Sequence, residues 1–580
     1  MGTGKVNILK FQEYNITRLK DYFRAKLILQ FCNLAILQFA FSANIFPQAE
    51  YVSADNPVYS FLNRMETLKL IEHYNPFEIP KSRGEIGKFL KEVIKQEDKL
   101  DEVDKEILND LRIEFEYEIF GSLNSSERII GEGSYNFFSQ KEKYLFYYND
   151  KDRANIFINL LADGELIYRN NSNLDINSST SLGFYGGEIR GTVLNKFGFF
   201  LRGYQGQVFG NRETALLKKE IAYNYKYITE TDEGYYDETS GYVTADFDLL
   251  KLKFGRDRLL IGYGETKSLV ADNSPMFDYL SFNINYEFMN FSYFHGKLLG
   301  NSSFINDSIT GGTNFVAEKY IGYHRLSFDF SQDISLGAGE IIIYGNRGID
   351  LSYLNPFTFY KSVEHSNQDR DNSMLFFDLN LKPGYGLKLF STFLIDDISF
   401  GKIGSGWFGN QTMLHAGIFS SSLYKITPID LSLEYIRVEP YTFTHRLPGN
   451  NYTHNGYNVG IDLQPNSELF FSQINYRFNQ RLRCSASFWY SIHGANPVLN
   501  NGDVENVGGN INLGHRVVDS ENADFLDGDL EYSRKYSLLI FYEPFNQIYF
   551  SLHINYLNNS LQNFIRYKET QMFFIIGARI

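Results

Sequence analysis

Beyond residue 140, side-chain character alternates with a period of two, and this restricts the possible fold more than any motif does. In Ile548-Tyr549-Phe550-Ser551-Leu552-His553-Ile554-Asn555-Tyr556, Ile548, Phe550, Leu552, Ile554 and Tyr556 share one face of a strand, and Tyr549, Ser551, His553 and Asn555 share the other. The pattern recurs at 375–382, 282–287 and 250–254. After residue 50 no apolar run approaches the ~20 residues of a spanning helix, and the mean hydropathy is -0.29. A membrane-resident chain of this kind must be a barrel, whose lipid-facing residues are diluted by alternation. Aromatic residues make up 17% of the chain, with Tyr 42 and Phe 52, which fits girdles at two membrane interfaces.

Connections between the alternating segments fall into two classes. Lys382-Pro383-Gly384-Tyr385-Gly386, Asp163-Gly164, Asn195-Lys196 and Pro544-Phe545-Asn546-Gln547 read as tight turns, whereas 206–240, 300–317, 345–372, 439–455 and 494–533 are long and polar. Short turns at one end and long loops at the other predict an all-β transmembrane barrel of about 18 antiparallel strands. A soluble sandwich or propeller is the alternative, and no blade-length repeat supports the propeller.

The N-terminal part differs. From Arg24, RAKLILQFCNLAILQFAFSANIFPQA has basic residues, an interrupted apolar stretch and small residues at its exit, as in a secretory signal peptide; a single membrane anchor is the alternative. Residues 1–49 are assigned to this leader, 50–118 to a small helical bundle and 119–580 to the barrel. Asn56-Pro57, Ser82-Arg83-Gly84-Glu85 and Asp101 each open a helix, the first predicted to end before Asn75-Pro76. Net charge is -14, which disfavours nucleic acid as a partner, and the two cysteines, Cys32 and Cys484, offer no disulfide framework.

Two charged stretches stand out. In "KFGRDRLLIGYGETKSLVADNSPMFDYL", Arg256, Asp257 and Arg258 straddle both strand faces, with Asp257 expected on the face away from the lumen or beyond the apolar band, and Asp272 and Asn273 follow. In "GNRGIDLSYLNPFTFYKSVEH", Arg347, Asp350, Asn355 and Tyr360 recur at short spacing. Both sets are read as a salt-bridge network bracing the lumen or as ligand contacts, with the two segments expected to pair inside the barrel. No G-x-S-x-G, H-E-x-x-H or paired cysteines appear, so no catalytic residue, metal or cofactor is assigned.

Together with the leader, the helices and the barrel layout, these two stretches resemble the capsule-assembly Wzi family of Gram-negative outer-membrane proteins. Ile261-Gly262 stands where that family often has Trp-Gly. The resemblance implies a lectin-like barrel that anchors capsular polysaccharide, with its helical part periplasmic. Surface polysaccharide and outer-membrane lipid are then the expected partners, a polysaccharide export complex a further one, and the state monomeric. Trp407, Tyr441, Tyr452 and Trp489 are sugar-stacking candidates by residue type. The competing function is a porin or diffusion channel tuned by inward charges such as Lys251 and Lys253.

Overall fold

The computed structural model describes residues 48–580 apart from 132–134, 151–152, 172, 228–232, 308–310, 422–427 and 561–565, so the leader lies almost wholly outside the described residues. Eighteen antiparallel strands close into a barrel. They are β1 Ala154–Asn171, β2 Ile176–Val193, β3 Phe197–Gly210, β4 Glu233–Asp246, β5 Leu250–Asp257 and β6 Phe277–Tyr286, then β7 Met289–Asp307, β8 Gly311–Ser331, β9 Ile334–Gly345, β10 Asn372–Gly384, β11 Leu387–Asp397 and β12 Gln411–Ser421. The last six are β13 Ile429–Val438, β14 Ser467–Arg477, β15 Leu482–Ala495, β16 Asp529–Phe545, β17 Ile548–Ser560 and β18 Arg566–Arg579. Closure comes from β18 against β1, in a register that runs from Glu569↔Asn171 to Arg579↔Leu161. Two short strands, Phe146–Asp150 and Tyr225–Tyr227, pair with β1 and β4 at the rims without entering the ring.

The period of two sets the faces. Leu201, Phe254, Leu280, Leu336, Phe377, Phe470 and Phe574 point outward and are exposed, while Lys251, Lys253, Arg325, Asp378, Lys388 and Glu434 point inward and are buried. Such an apolar outer band, with charged side chains turned inward, needs lipid around it. No helix among the described residues is long and apolar enough to cross a membrane.

Not every turn signal marks a turn. Asp163-Gly164 lies inside β1, where the Asp163 carboxylate accepts from Tyr549 Oη at 2.9 Å across the lumen side. Residues 300–317 are mostly strand, because β7 and β8 continue as a long hairpin above the neighbouring strands. The ring also starts later than residue 119: helix persists to Phe120, and a parallel pair, Ser126–Arg128 with Glu142–Tyr144, precedes β1.

Helices α1 Val58–Thr67, α2 Arg83–Ile94, α3 Glu102–Glu114 and α4 Glu116–Phe120 share one apolar core built from Phe61, Leu62, Met65, Leu90, Leu108 and Phe115 among others. Ser82 Oγ accepts from Glu85 N at 3.3 Å and Asp101 Oδ1 from Asp104 N at 2.8 Å, satisfying donors that the first turn leaves free. The first helix stops earlier than the proline predicts, because Lys69 takes a left-handed φ of 57° and Leu70 N turns back to Met65 O at 2.9 Å. Gln48 and Ala49, placed in the leader by the sequence, belong to the folded unit: both are buried, and Ala49 N donates to Thr192 Oγ1 on β2 at 3.0 Å.

The helices sit inside the short-turn end. Gly386 N in the β10–β11 turn donates to Thr67 O at 3.1 Å, Lys69 meets Asp333 beside the β8–β9 turn at 2.6 Å, and Arg481 beside the β14–β15 turn meets Asp110 at 3.0 Å. Deeper in, Glu66 receives Lys382 and Lys388, both at 2.9 Å, and Arg64 reaches Asp430 at 2.5 Å. These ions are buried and mutually paired, so the bundle is held by the wall rather than resting on it.

Candidate functional site

Residues 258–276, between β5 and β6, do not rise as a surface loop but descend into the lumen. Leu260–Ile261 pairs antiparallel with Glu78–Ile79 of the helical region, and Gly262 N donates to Phe77 O at 2.8 Å. From the other side, Ala271 N donates to Val459 O at 2.9 Å and Asn273 Nδ2 to Gly460 O at 2.8 Å, both in an outer loop. The segment thus joins the helical plug below to the long loops above. Two charged nodes fix it to the wall. Arg325 on β8 forks onto Asp378 on β10 at 2.8 and 2.8 Å, Tyr263 Oη donates to the same carboxylate at 3.0 Å, and Phe77 lies 4.2 Å beneath the guanidinium. Glu434 on β13, fully buried, accepts from Glu265 N at 2.7 Å and Thr266 Oγ1 at 2.6 Å and bonds His415 Nε2 at 3.1 Å.

A single hydrophobic core therefore runs the height of the barrel. It starts at Phe77, passes through Ile261, Tyr263, Leu269 and Val270, meets Ile321, Tyr323 and Phe376 of the wall, and ends on Phe443, Tyr452, Ile461 and Ile511 of the outer loops. On the β1–β4 side a second in-folded loop carries α5 Arg212–Ala215 and α6 Lys219–Asn224, with Ala215 and Ile221 packed on Ile167, Leu182 and Tyr236. Lys219 Nζ reaches Asn273 Oδ1 at 2.7 Å, tying the two loops together. A polar cavity of about 600 Å³ remains between α1, α3 and the wall, with Arg202, Arg477 and Arg483 in its lining.

The plug also holds a carboxyl far below its ordinary range. Burial raises the Glu85 carboxyl on α2, but Lys251, at 2.5 Å, and Lys81 outweigh it and hold the pKa down at about 2. The folded value lies below the unfolded one, so Glu85 contributes stability fully above its ordinary pKa of about 4.5, and this is lost as pH falls toward 2. Hydrogen exchange in α2 is expected to speed up markedly between pH 5 and pH 3, after correction for intrinsic rates, and much less in a Glu85→Gln variant.

The residues singled out in the sequence fall in three places. Asp257 points into the lumen, where it accepts from Lys253 Nζ at 2.5 Å; Arg256 points outward and forks onto Asp278 at 2.7 and 3.1 Å. This reverses the expected facing, and the cause is visible in the parity of β5: Lys251, Lys253 and Asp257 share one face. Arg258 pairs with Asp272 at the top of the in-folded segment. Arg347, Asp350, Asn355 and Tyr360, by contrast, are not in the lumen, and the two stretches do not pair there. Residues 346–371 lie on the outer wall, with Arg347 on Asp371 at 2.7 and 2.7 Å and on Asp350 at 3.2 Å, and Asn355 Oδ1 accepting from Phe357 N at 3.2 Å. Tyr360 is buried there beside His324, ring centroids 4.5 Å apart.

Of the four sugar-stacking candidates, two have covered rings. Tyr441 is fully buried, with Oη on Asn506 O at 2.7 Å, and Tyr452 is fully buried, stacked on Phe443 with Oη on Leu269 O at 2.7 Å. Both are pins between loops, not platforms. Trp489 is half-buried on the luminal face of β15 against Phe471. Trp407, in the outer cap, is half-buried, with Lys402 Nζ 4.1 Å over its ring.

That cap is built from the loops 398–410, 439–466 and 496–528. Phe408 N donates to Glu521 O at 3.0 Å, Ala523 N to Gly406 O at 2.7 Å and Asn451 Nδ2 to Asn512 Oδ1 at 2.9 Å. His515 stacks on Phe408 with centroids 3.5 Å apart, and Arg516 pairs with Asp519 at 2.8 Å. Phe408 and His515 were not anticipated, because their juxtaposition joins residues about a hundred positions apart and leaves no local pattern; Lys402, five residues before Trp407, was not singled out either. Among the described residues, no group of three or more His, Cys, Asp or Glu is placed to hold a metal ion.

Residues 168–519, more than half of the chain, match the family described as Capsule assembly protein Wzi. The chain belongs to the Wzi family. Among solved structures, Escherichia coli Wzi, described as an outer membrane protein involved in group 1 capsule assembly and a carbohydrate-binding β-barrel, is 12% identical with a TM-score of 0.52. The match covers 91% of this chain and 99% of that one. At that identity the likeness is one of fold: an outer-membrane β-barrel. OccK8 (OprE) of Pseudomonas aeruginosa is 9% identical over 73% of this chain and 98% of its own, with a TM-score of 0.41. No curated protein matches the chain.

Proposed function

We propose that this Wzi-family barrel holds surface polysaccharide at the outer face of the outer membrane and does so by binding, without catalysis. The observation that carries this reading is the continuous core from plug to outer loops: it occupies the β6–β15 side of the lumen, narrows the path a diffusing solute would take and leaves the interlocked loop cap as the surface offered to a polymer. Trp407, with Lys402 over its ring, offers an aromatic face and a cation together, a combination suited to a sugar bearing a carboxylate. Family membership and the carbohydrate-binding description of the E. coli protein support the same assignment. In this reading the export leader lies within residues 1–47, the folded unit beginning by Gln48. The helical bundle faces the periplasm, since short turns mark that end of outer-membrane barrels. The chain acts as a monomer, and the bundle is the surface offered to an export complex. Asp257, Arg258 and Asp272 brace the lumen rather than touch sugar, Arg256 pairs on the outer face, and the charges of 347–360 anchor an outer-wall segment.

Binding of capsular polysaccharide extracted from the source strain to the purified protein tests the proposal. Trp407→Ala is expected to weaken binding about fivefold, while Trp489→Ala, below the cap, leaves it unchanged. Equal binding by native protein and the Trp407 variant would remove the cap from consideration, and a deletion strain that keeps its capsule fully attached would overturn the function.

A further inference from the structure

The segment 346–371 occupies a position that neither a strand nor an extracellular loop explains. It leaves the top of β9 at Gly345 and runs down the outside of the barrel through α7 Leu351–Leu354, then climbs back through α8 Tyr360–Ser366 to Asp371. Parity places it outside: Ile321, Tyr323, Ile341 and Ile343 belong to the luminal core, while Tyr320, Ile342 and Tyr344 lie on the opposite face and pack with Tyr353 and Tyr360 in a separate cluster. The wall beneath it is unusually polar for an outward face. Glu340, buried, meets His324 Nε2 at 3.1 Å and accepts from Tyr360 N at 2.8 Å, and His295 Nε2 meets Tyr344 Oη at 2.7 Å. Left bare, this patch would put a carboxylate and two imidazoles on a surface that elsewhere carries leucine and phenylalanine.

The segment also substitutes for the surface it hides. Its inner side supplies tyrosines and backbone donors to the polar patch; its outer side presents Ile349, Leu351, Phe357 and Phe359, with Leu351 79% and Phe357 75% exposed. Phe357 stacks on Phe291 of β7 at 5.2 Å, continuous with the exposed wall residues Leu326, Ile334 and Leu336 below. Glu340 lies seven residues above the turn at Asp333, roughly 20 Å along a strand that tilts by about 40°, and Phe291 only two residues above the start of β7 at Met289, so the segment reaches from the upper part of the ~25 Å apolar band down toward its short-turn end.

We propose that residues 346–371 form a membrane-facing flap that binds lipid, with Ile349, Leu351, Phe357 and Phe359 among the acyl chains. The barrel is then held in the membrane by a folded loop as well as by its strands, and the polar patch on β7–β9 is admissible in a lipid-facing wall because the flap covers it.

Nitroxide labels report the environment directly. In a Cys32→Ser, Cys484→Ser background reconstituted into phosphatidylcholine vesicles, single cysteines replace Leu351, Phe357, Phe254 of the strand wall and Val517 of an outer loop tip. Labels at 351 and 357 are expected to collide several-fold more often with oxygen than with a water-soluble nickel chelate, as at 254, while 517 shows the reverse. Chelate access at 351 and 357 with normal values at 254 would place the flap in water and overturn the proposal. Exclusion of both reagents would overturn it too, because the face would then be covered by protein. Aqueous values at 254 as well would indict barrel insertion rather than the flap, and are excluded by heat-modifiable migration of each labelled variant.

Discussion

Replacing residues 260–274 with a short glycine-serine linker is expected to turn a barrel that passes no stable current in planar bilayers into one that conducts in discrete steps. The segment supplies Ile261, Tyr263, Leu269 and Val270 to the core that links Phe77 of the plug to Tyr452 and Ile461 of the outer loops. Its removal withdraws the middle of that column while leaving the eighteen strand pairings intact, since only the two-residue pairing with Glu78–Ile79 is lost from the sheets. The plug keeps its own anchors to the wall at Arg64 and Glu66, so conduction should flicker as the helices shift rather than stay fully open. Large stable currents from the native chain would instead favour a diffusion channel and count against polysaccharide binding as the sole task. A silent linker variant would show that the cap and the α5–α6 loop occlude the lumen unaided.

The fold was legible where burial is one-sided. At 548–556 one face meets lipid and the other the lumen, so alternation survives intact, and the same asymmetry gives the strand count. Helix starts at Ser82 and Asp101 were equally plain, because an unsatisfied first turn demands a capping oxygen whatever surrounds it. Legibility failed where a second layer covers a strand. Ile341-Ile342-Ile343-Tyr344 has no alternation, because its odd residues enter the luminal core and its even ones lie under the flap. That run was the available sign that 346–371 folds outward; Arg347, Asp350 and Tyr360 themselves suit either side of the wall. Asp163-Gly164 misled for a related reason. A luminal partner, Tyr549, satisfies an aspartate that would otherwise mark a turn, and a Cβ at Gly164 would meet nothing, so no turn is needed there. Tyr441 and Tyr452 show the limit of residue type: an exposed platform and a buried pin are the same letter in sequence, and only the partners Asn506 and Leu269 separate them.

Asp378→Ala is expected to have the largest effect of any single substitution on the in-folded segment 258–276. Among the described residues Asp378 is the carboxylate that forks onto Arg325, both side chains are about 1% exposed or less, and Glu78 stands farther off at 3.9 Å. Removing it leaves a buried guanidinium without its main counter-charge, which typically costs roughly 3–5 kcal/mol, and it also strips Tyr263 Oη of its acceptor. The consequence should be local. Strand pairing around β8, β9 and β10 persists, while the in-folded segment loosens, so hydrogen exchange at Ile261–Val270 accelerates far more than exchange in the ring. The midpoint of urea unfolding in detergent should fall with it. An Arg325→Met, Asp378→Leu double variant supplies the contrast, since it removes both charges and leaves apolar groups against Phe77 and Tyr263; stability is expected to return to near the native value. If the single variant unfolds and exchanges like the native protein, the node is ornamental and the hydrophobic column alone holds the segment. If the double variant is as weak as the single one, the fork contributes through geometry, by positioning Tyr263, rather than by neutralising a buried charge.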